Sequence, residues 1–262
     1  MMFTPISPIE ISAMIFEKVH HYSLMAIPMF VLAGNLLSKG SAATRIIEFA
    51  KSIVGHLPGG LPISAIFASI IFAAVSGSSP ATVVAIGSIM FGAIMQAGYP
   101  KKYAVGTIAT AGSLGILIPP SIVLIVYGVT AEVSIGKLFM AGVVPGIMLG
   151  VMMMVVTYVG ARRLGFKRTT PQPWSVRLKK MKDAAWGLMT IVIVIGGIYG
   201  GIFTPTEAAA VACVWAFIIS VFVYKDIKLT QVFGTALESA KTTAMIMFII
   251  ANAMIFAHFL TI

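Results

Sequence analysis

The sequence predicts an all-α polytopic membrane protein that contains a re-entrant helical hairpin and a broken transmembrane helix. Three observations carry that reading. Of the 262 residues, 59% are hydrophobic and 10% charged, with a mean hydropathy of +1.01, which leaves too little charge to cover a soluble surface. A polar knot, Ser76-Gly77-Ser78-Ser79-Pro80-Ala81-Thr82, separates two apolar runs that are short for a membrane span. A second interruption, Gly112-Ser113-Leu114-Gly115 and then Ile118-Pro119-Pro120-Ser121, breaks a stretch otherwise long enough to cross.

Residues 1–21 mix Glu10, Glu17, Lys18, His20 and His21 with apolar residues at helical spacing and read as an interfacial segment. They lack the charged start and apolar core of a cleavable signal peptide. Tyr22 to Leu37 is the first spanning candidate, ended by Ser38-Lys39-Gly40. From Ser41 to Leu57, Ile46, Ile47, Ala50 and Val54 alternate with Arg45, Glu48 and Lys51 at a period near 3.6, so a surface-lying amphipathic helix is expected. His56-Leu57-Pro58-Gly59-Gly60 stops it.

Leu61 to Val75 spans about 22 Å as a helix at about 1.5 Å per residue, against about 30 Å of hydrocarbon. After the knot, Ala81 to Ala97 runs back to Gly98-Tyr99-Pro100-Lys101-Lys102, and Ser79-Pro80 suits the N-cap and N1 positions of the returning helix. This is the hairpin, 61–97. The broken helix follows over 103–129; adjacent prolines cannot continue a helix, and broken backbone at membrane depth must be buried or line a wet cavity. Gly136 to Gly160 and Ala184 to Phe203 read as plain spans whose glycines suit close helix packing. Thr204-Pro205-Thr206-Glu207 carries the pattern of a capping box. Ala208 to Tyr224 crosses back, Leu229 to Lys241 reads as a short amphipathic piece, and Thr242 to Ile262 as a final apolar run with no polar end, which suggests truncation.

Arg162, Arg163, Lys167, Arg168, Arg177, Lys179, Lys180 and Lys182 crowd one connection with no acid among them. Such a connection belongs on the cytoplasmic side; an anionic-lipid site is the alternative reading. Parity then brings Lys101, Lys102, Arg45, Lys51, Lys225 and Lys228 to the same side. No aromatic-interleaved basic groove points to nucleic acid. The lone Cys213 excludes a disulfide framework, and His56 and His258 lack partners at metal-ligand spacing. No acid occurs between Glu48 and Glu132, which argues against intramembrane hydrolysis and a carboxylate proton relay.

Residues 16–35 and 233–252 share a polar-then-apolar layout ending in Asn35 and Asn252, and parity orients them oppositely. That is the pattern of an inverted repeat, whose ion sites sit at discontinuous helices; the fold class expected is therefore inverted-repeat and ion-transporter-like. A hard cation such as Na⁺ requires oxygen ligands, and the knot offers Ser76, Gly77, Ser78 and Ser79 while the break offers Gly112, Ser113 and Gly115. The helix starting after the knot offers free N–H groups to a carboxylate, which puts Thr82, Pro119, Pro120 and Ser121 near a substrate. The bland reading is that these small residues only allow tight helix crossing. Asn35 and Asn252 stand open between interhelical hydrogen bonds and site contributions.

The knot with Ala85-Ile86-Gly87-Ser88, then 115–121, Tyr127-Gly128, Ala141-Gly142-Val143-Val144-Pro145-Gly146 and 201–210 resemble the large membrane subunit of tripartite ATP-independent periplasmic (TRAP) transporters. The resemblance covers nearly the whole chain. It implies a multi-pass bacterial inner-membrane permease that takes up organic acids such as C4-dicarboxylates or sialic acid, coupled to Na⁺ and moving by an elevator mechanism. It also implies a small membrane subunit and a periplasmic substrate-binding protein as partners, no further cofactor and no enzymatic activity. In that light, 1–57 is a scaffold-type helix with a surface helix and 58–130 a transport half-domain. Residues 131–183 form a span with a basic loop, and 184–262 begin a second repeat whose hairpin would follow. Thr82 and Ile116 depart from the family pattern, which commonly has an acid and a proline there. A binding-protein-independent Na⁺/carboxylate symporter and a membrane scaffold subunit without its own substrate site are the alternative expectations.

Overall fold

The computed structural model describes residues 20–261, with side chains through Phe256; residues 1–19 and the side chain of His258 lie outside it. The described residues are helical, with no strand among them. After a 3-10 turn at Tyr22–Met25 come α1 (Ala26–Lys39), α2 (Ala42–Val54), α3 (Gly60–Ser76), α4 (Ser79–Gln96), α5 (Lys101–Gly112) and the short α6 (Leu114–Leu117). Then follow α7 (Ile122–Thr130), α8 (Ile135–Arg163), α9 (Trp174–Tyr199), α10 (Pro205–Ile218, continued by a π turn at Ile219–Val223) and α11 (Leu229–Thr261). Six of these helical stretches are long and apolar enough to cross a membrane, and a seventh is the bent pair Lys101–Leu117 and Ile122–Thr130, which turns by 42° at the break. The chain is an all-α polytopic membrane protein.

The first arm of the hairpin, α3, is the hub. It packs against α2, α4, α5, α6 and α8, and Ile63, Ile66, Phe72, Ala73 and Val75 along it are buried. A helix apolar on all sides is stable only when covered on all sides or bathed in lipid, and here protein covers it. Its Ser64 and Ser69 hydroxyls donate to the carbonyls of Gly60 and Ala65, at 2.5 and 2.8 Å, so neither is left unpaired. Around this hub, α1 packs on α10 and α11, and α2 is wedged between α3 and α9.

Side-chain and backbone contacts gather the basic segments at one end. Glu48 on α2 reaches Lys180 on α9 at 3.5 Å, and the Arg45 guanidinium stands 4.2 Å from the centroid of Tyr224 after α10. Asp226 accepts a hydrogen bond from the Ser41 N–H at 2.6 Å, and Phe166 stacks on Tyr99 at the hairpin base, 3.7 Å between centroids. The opposite end holds a cavity of about 460 Å³ lined by His21, Ser23, Glu132, Ser134 and Thr204. Next to it the expected capping box forms. The Thr204 hydroxyl accepts from the Glu207 N–H at 3.3 Å, while Glu207 accepts from the Thr204 N–H at 2.8 Å.

Three boundaries differ from expectation. The basic connection is mostly helix: α9 starts at Trp174, since Arg177, Leu178, Lys179, Lys180, Met181 and Lys182 are good helix formers, leaving only 164–173 as loop. Leu229–Thr261 is one helix rather than two, because neither Gly nor Pro interrupts 235–261. The N-cap of α4 is Ser78, with Ser79 and Pro80 as its first two residues; proline is tolerated in a first turn, where no intrahelical donor is needed.

Candidate functional site

The two interruptions meet. Gly77 ends α3 at φ 61°, a left-handed conformation that suits glycine. Its carbonyl accepts the Ile122 N–H at 3.0 Å, joining the hairpin tip to the first residue of α7. A Cβ on Gly77 would lie 2.5 Å from the Pro120 carbonyl oxygen, and one on Gly115 would lie 2.8 Å from the Ser79 nitrogen. The tip and the break therefore touch backbone to backbone, at a distance only glycine permits. Gly112 closes the same seam from α5, with Ser79 O 3.5 Å from where its Cβ would be.

Within the tip, the Thr82 hydroxyl donates to the Ser78 carbonyl at 2.9 Å, and Ser76 Oγ lies 3.1 Å from Thr82 Oγ1. A hydroxyl carries one proton, so with Thr82 already donating, Ser76 is the donor between them. The lone pairs of Ser76 are thereby left free. Ser78 caps α4 by accepting from the Ala81 N–H at 3.5 Å, and Ser121 caps α7 by accepting from the Leu124 N–H at 3.5 Å while donating to the Ile116 carbonyl at 2.6 Å. Two helix C-termini, of α3 and α6, and two N-termini, of α4 and α7, converge on one spot. The C-termini offer partial negative ends and the N-termini partial positive ends.

This spot opens into a cavity of about 920 Å³. Ser76, Gly77, Ser78, Ser79 and Gly115 line it, so five of the residues expected at a cation site share one surface. Gly112 and Ser113 do not line it; Ser113 Oγ donates to the Thr110 carbonyl at 2.7 Å. Thr82, Pro119, Pro120 and Ser121 are buried behind the tip, the two prolines joined by a cis peptide bond. Gly34, Asn35, Ser38, Tyr127 and Thr130 contribute from α1 and α7, and Thr242 with Ile246 and Ile249 from α11. Asn35 plays both parts that its sequence left open: it lines the cavity and donates to Ser239 Oγ at 2.8 Å across to α11. Gly34 lets α1 approach the tip, its absent Cβ lying 3.1 Å from the Ser76 Cα. A Gly-Asn pair at membrane depth is the signal for these two; Tyr127 stood out only in the Tyr127-Gly128 motif of the resemblance, and Thr130 carried no signal beyond its place after the break. No Asp, Glu, Lys or Arg lines this cavity, and among the described residues no group of three His, Cys, Asp or Glu side chains has metal-site geometry.

A multi-pass helical membrane protein with two interrupted helices facing one shared cavity is the class this architecture defines. Comparison with known proteins gives the family. Residues 1–262 match the family described as "Tripartite ATP-independent periplasmic transporter, DctM component", and the chain belongs to it. It is 50% identical to the C4-dicarboxylate TRAP transporter large permease protein of Pseudomonas aeruginosa, over all of this chain and 61% of that protein. The corresponding Rhodobacter capsulatus protein is 49% identical over 95% of this chain and 60% of its own length. An isethionate TRAP transporter permease of Oleidesulfovibrio alaskensis is 40% identical over 97% of this chain and 40% of its own. The chain thus spans about three-fifths of the length of the C4-dicarboxylate permeases it matches. Family membership and the apolar helices together place it in the bacterial inner membrane.

Proposed function

We propose that this chain forms the hairpin-bearing part of a large permease subunit that takes up organic acids, coupled to Na⁺. The observation that carries the reading is the convergence of both helix interruptions on one cavity whose lining holds no Asp, Glu, Lys or Arg. A site of neutral oxygens and helix ends suits a monovalent cation bound beside a carboxylate. Ser76, whose lone pairs are free, and the tip backbone at Gly77 and Ser78 hold the cation, with Gly115 on the opposite wall and Gly112 closing the seam behind it. The N-terminus of α4 faces the substrate carboxylate.

The hairpin α3–α4 is re-entrant in this reading: α3 has 17 residues, about 26 Å at about 1.5 Å per residue, against about 30 Å of hydrocarbon. Residues 58–130 slide as an elevator past α1 and α11. The periplasmic binding protein expected of the family delivers the ligand, and the small membrane subunit works alongside this chain. C4-dicarboxylates are the first substrates to try, because relatives of 48 to 50% identity bear that name.

The test is uptake by the full-length complex in proteoliposomes, over a panel of organic acids with and without a Na⁺ gradient. Ser76→Ala is expected to lower Na⁺-dependent uptake at least about ten-fold, the equivalent of about 1.4 kcal/mol, while membrane insertion stays intact. Unchanged Na⁺ dependence in that variant sinks the site assignment.

A further inference from the structure

Charge bias alone would be satisfied by a slack basic loop, but the α8–α9 connection is held in place. α8 closes in a Schellman turn, with Gly165 at φ 83° donating to the Arg162 carbonyl and Phe166 to the Ala161 carbonyl, both at 3.1 Å. Phe166 then stacks on Tyr99 with 8° between the rings. Three residues on, the Thr169 N–H donates to the His56 carbonyl at 3.0 Å. Lys167 and Arg168 are exposed between these two anchors.

Across the connection, α9 opens with an apolar stripe turned away from the protein. Trp174, Leu178 and Met181, at i, i+4 and i+7, are 74%, 50% and 42% exposed, whereas Gly187 on the other side is buried. At 100° per residue, Arg177 and Lys182 border the stripe on its two sides, and the Arg177 guanidinium lies 5.1 Å from the Trp174 ring centroid. α9 has 26 residues, about 39 Å long against about 30 Å of hydrocarbon, so about six residues reach beyond it into the headgroup layer. Of the eight cations between Arg162 and Lys182, only Lys180 has an ion pair among the described residues, with Glu48. An apolar stripe rimmed by unpaired cations at headgroup depth is complementary to an anionic amphiphile.

We propose that the start of α9 and the pinned connection before it form a seat for an anionic phospholipid. Its phosphate rests against Arg177 and Lys182, and an acyl chain follows Trp174, Leu178 and Met181. Because the connection is fastened to Tyr99 and His56, bound lipid stiffens the base of the hairpin.

The permease as its gene encodes it, in nanodiscs of mixed phosphatidylcholine and phosphatidylglycerol, tests this by native mass spectrometry of retained lipid. Phosphatidylglycerol is expected to be retained at least about ten-fold over phosphatidylcholine, from about 1 kcal/mol for each cation near the phosphate. Arg177→Gln with Lys182→Gln should abolish that preference, Lys182→Arg should keep it, and Lys225→Gln with Lys228→Gln, elsewhere on the same end, should leave it intact. Should the double variant fail to fold, brominated phosphatidylglycerol must quench tryptophan emission of the unaltered protein more than brominated phosphatidylcholine does, and Trp174→Phe must remove the excess. Equal retention of the two lipids, or full preference in the Arg177/Lys182 variant, overturns the proposal. Displacement of the lipid by inorganic phosphate makes the seat a soluble-anion site, and its expulsion by a co-reconstituted small membrane subunit makes it a protein interface; either outcome also overturns it.

Discussion

The cavity at the hairpin tip and the basic end at the hairpin base are two ends of the same helices held by different means. At the tip, contact is backbone against backbone: Gly77 to Pro120 and Ile122, Gly115 to Ser78 and Ser79, with no charge present. At the base, contact runs mostly through side chains, Phe166 on Tyr99, Arg45 on Tyr224, Glu48 to Lys51 and Lys180, with the main-chain bond from Thr169 to His56 beside them. A seam of main chain and glycine has no rotamers to adjust, whereas side-chain contacts can re-pack around a change. Substitutions should therefore do most harm at the tip and least at the base.

The largest effect is expected at Gly77. Alanine there adds about 1–2 kcal/mol for the left-handed backbone and about 1–3 kcal/mol for overpacking against Pro120. Gly115→Ala carries the overpacking alone. In contrast, Gly92 in α4 and Gly106 in α5 have nothing within 4 Å of an added Cβ, so alanine there should be neutral or stabilise by about 0.5–1 kcal/mol. Thermal unfolding of the four purified variants checks the ranking. A Gly77→Ala protein as stable as the Gly92→Ala one would show that tip and break are not in rigid contact.

Next is Ser76. Its hydroxyl is buried and serves Thr82, so Ser76→Ala leaves a buried oxygen short of its donor at about 1–3 kcal/mol. Thr82→Val removes the acceptor and one of the two donors to the Ser78 carbonyl, which keeps the Thr82 N–H at 3.0 Å. If the two hydroxyls act as a chain, the double variant costs less than the sum of the singles, measured by unfolding in a mutant cycle. Strict additivity breaks the chain.

Much of this contrast was legible in the residues because its devices are local. The tip, the break, the Thr204 capping box and the common end of the basic segments all announce themselves through Gly, Pro, Ser and Lys/Arg spacing. What was not legible is pairing at a distance. Nothing near Asn35 points to Ser239, 204 positions away. An arm apolar on every side, as α3 is, reads alike whether lipid or protein covers it, and the adjacent serines Ser78 and Ser79 do not say which one caps α4. Equally, the run of cations at 177–182 hid helix start from view, since charge signals the side of the membrane and not the backbone conformation.

Asn35 is the intermediate case, a side-chain bond on the wall of the backbone-built site. Asn35→Leu should cost about 0.6–1.7 kcal/mol, the range of hydrogen bonds between membrane helices, and Ser239→Ala should cost the same if the bond is their common loss. Unfolding measurements on both and on the double variant check it. A double variant that loses twice as much as either single shows that the two groups act separately.

The smallest effect belongs to the base. Burial alone would raise the Glu48 carboxyl, but the hydrogen bond and charge of Lys51, with Lys180 beyond, outweigh it and hold the group below its ordinary value of 4.5. A carboxyl lowered on folding stabilises at pH above 4.5, and that contribution fades as the pH falls through its folded value. Both lysines are partly exposed, so Glu48→Gln should cost no more than about 1 kcal/mol at pH 7. The difference between the two proteins should fade as the pH falls through the folded value of Glu48, and also in about 1 M salt, where the screening length shrinks to about 3 Å. Unfolding temperatures across pH and salt read this directly. A Glu48→Gln loss as large as that of Gly77→Ala, or one that persists unscreened at high salt, would erase the distinction between the two ends, since it would make the base as unyielding as the tip.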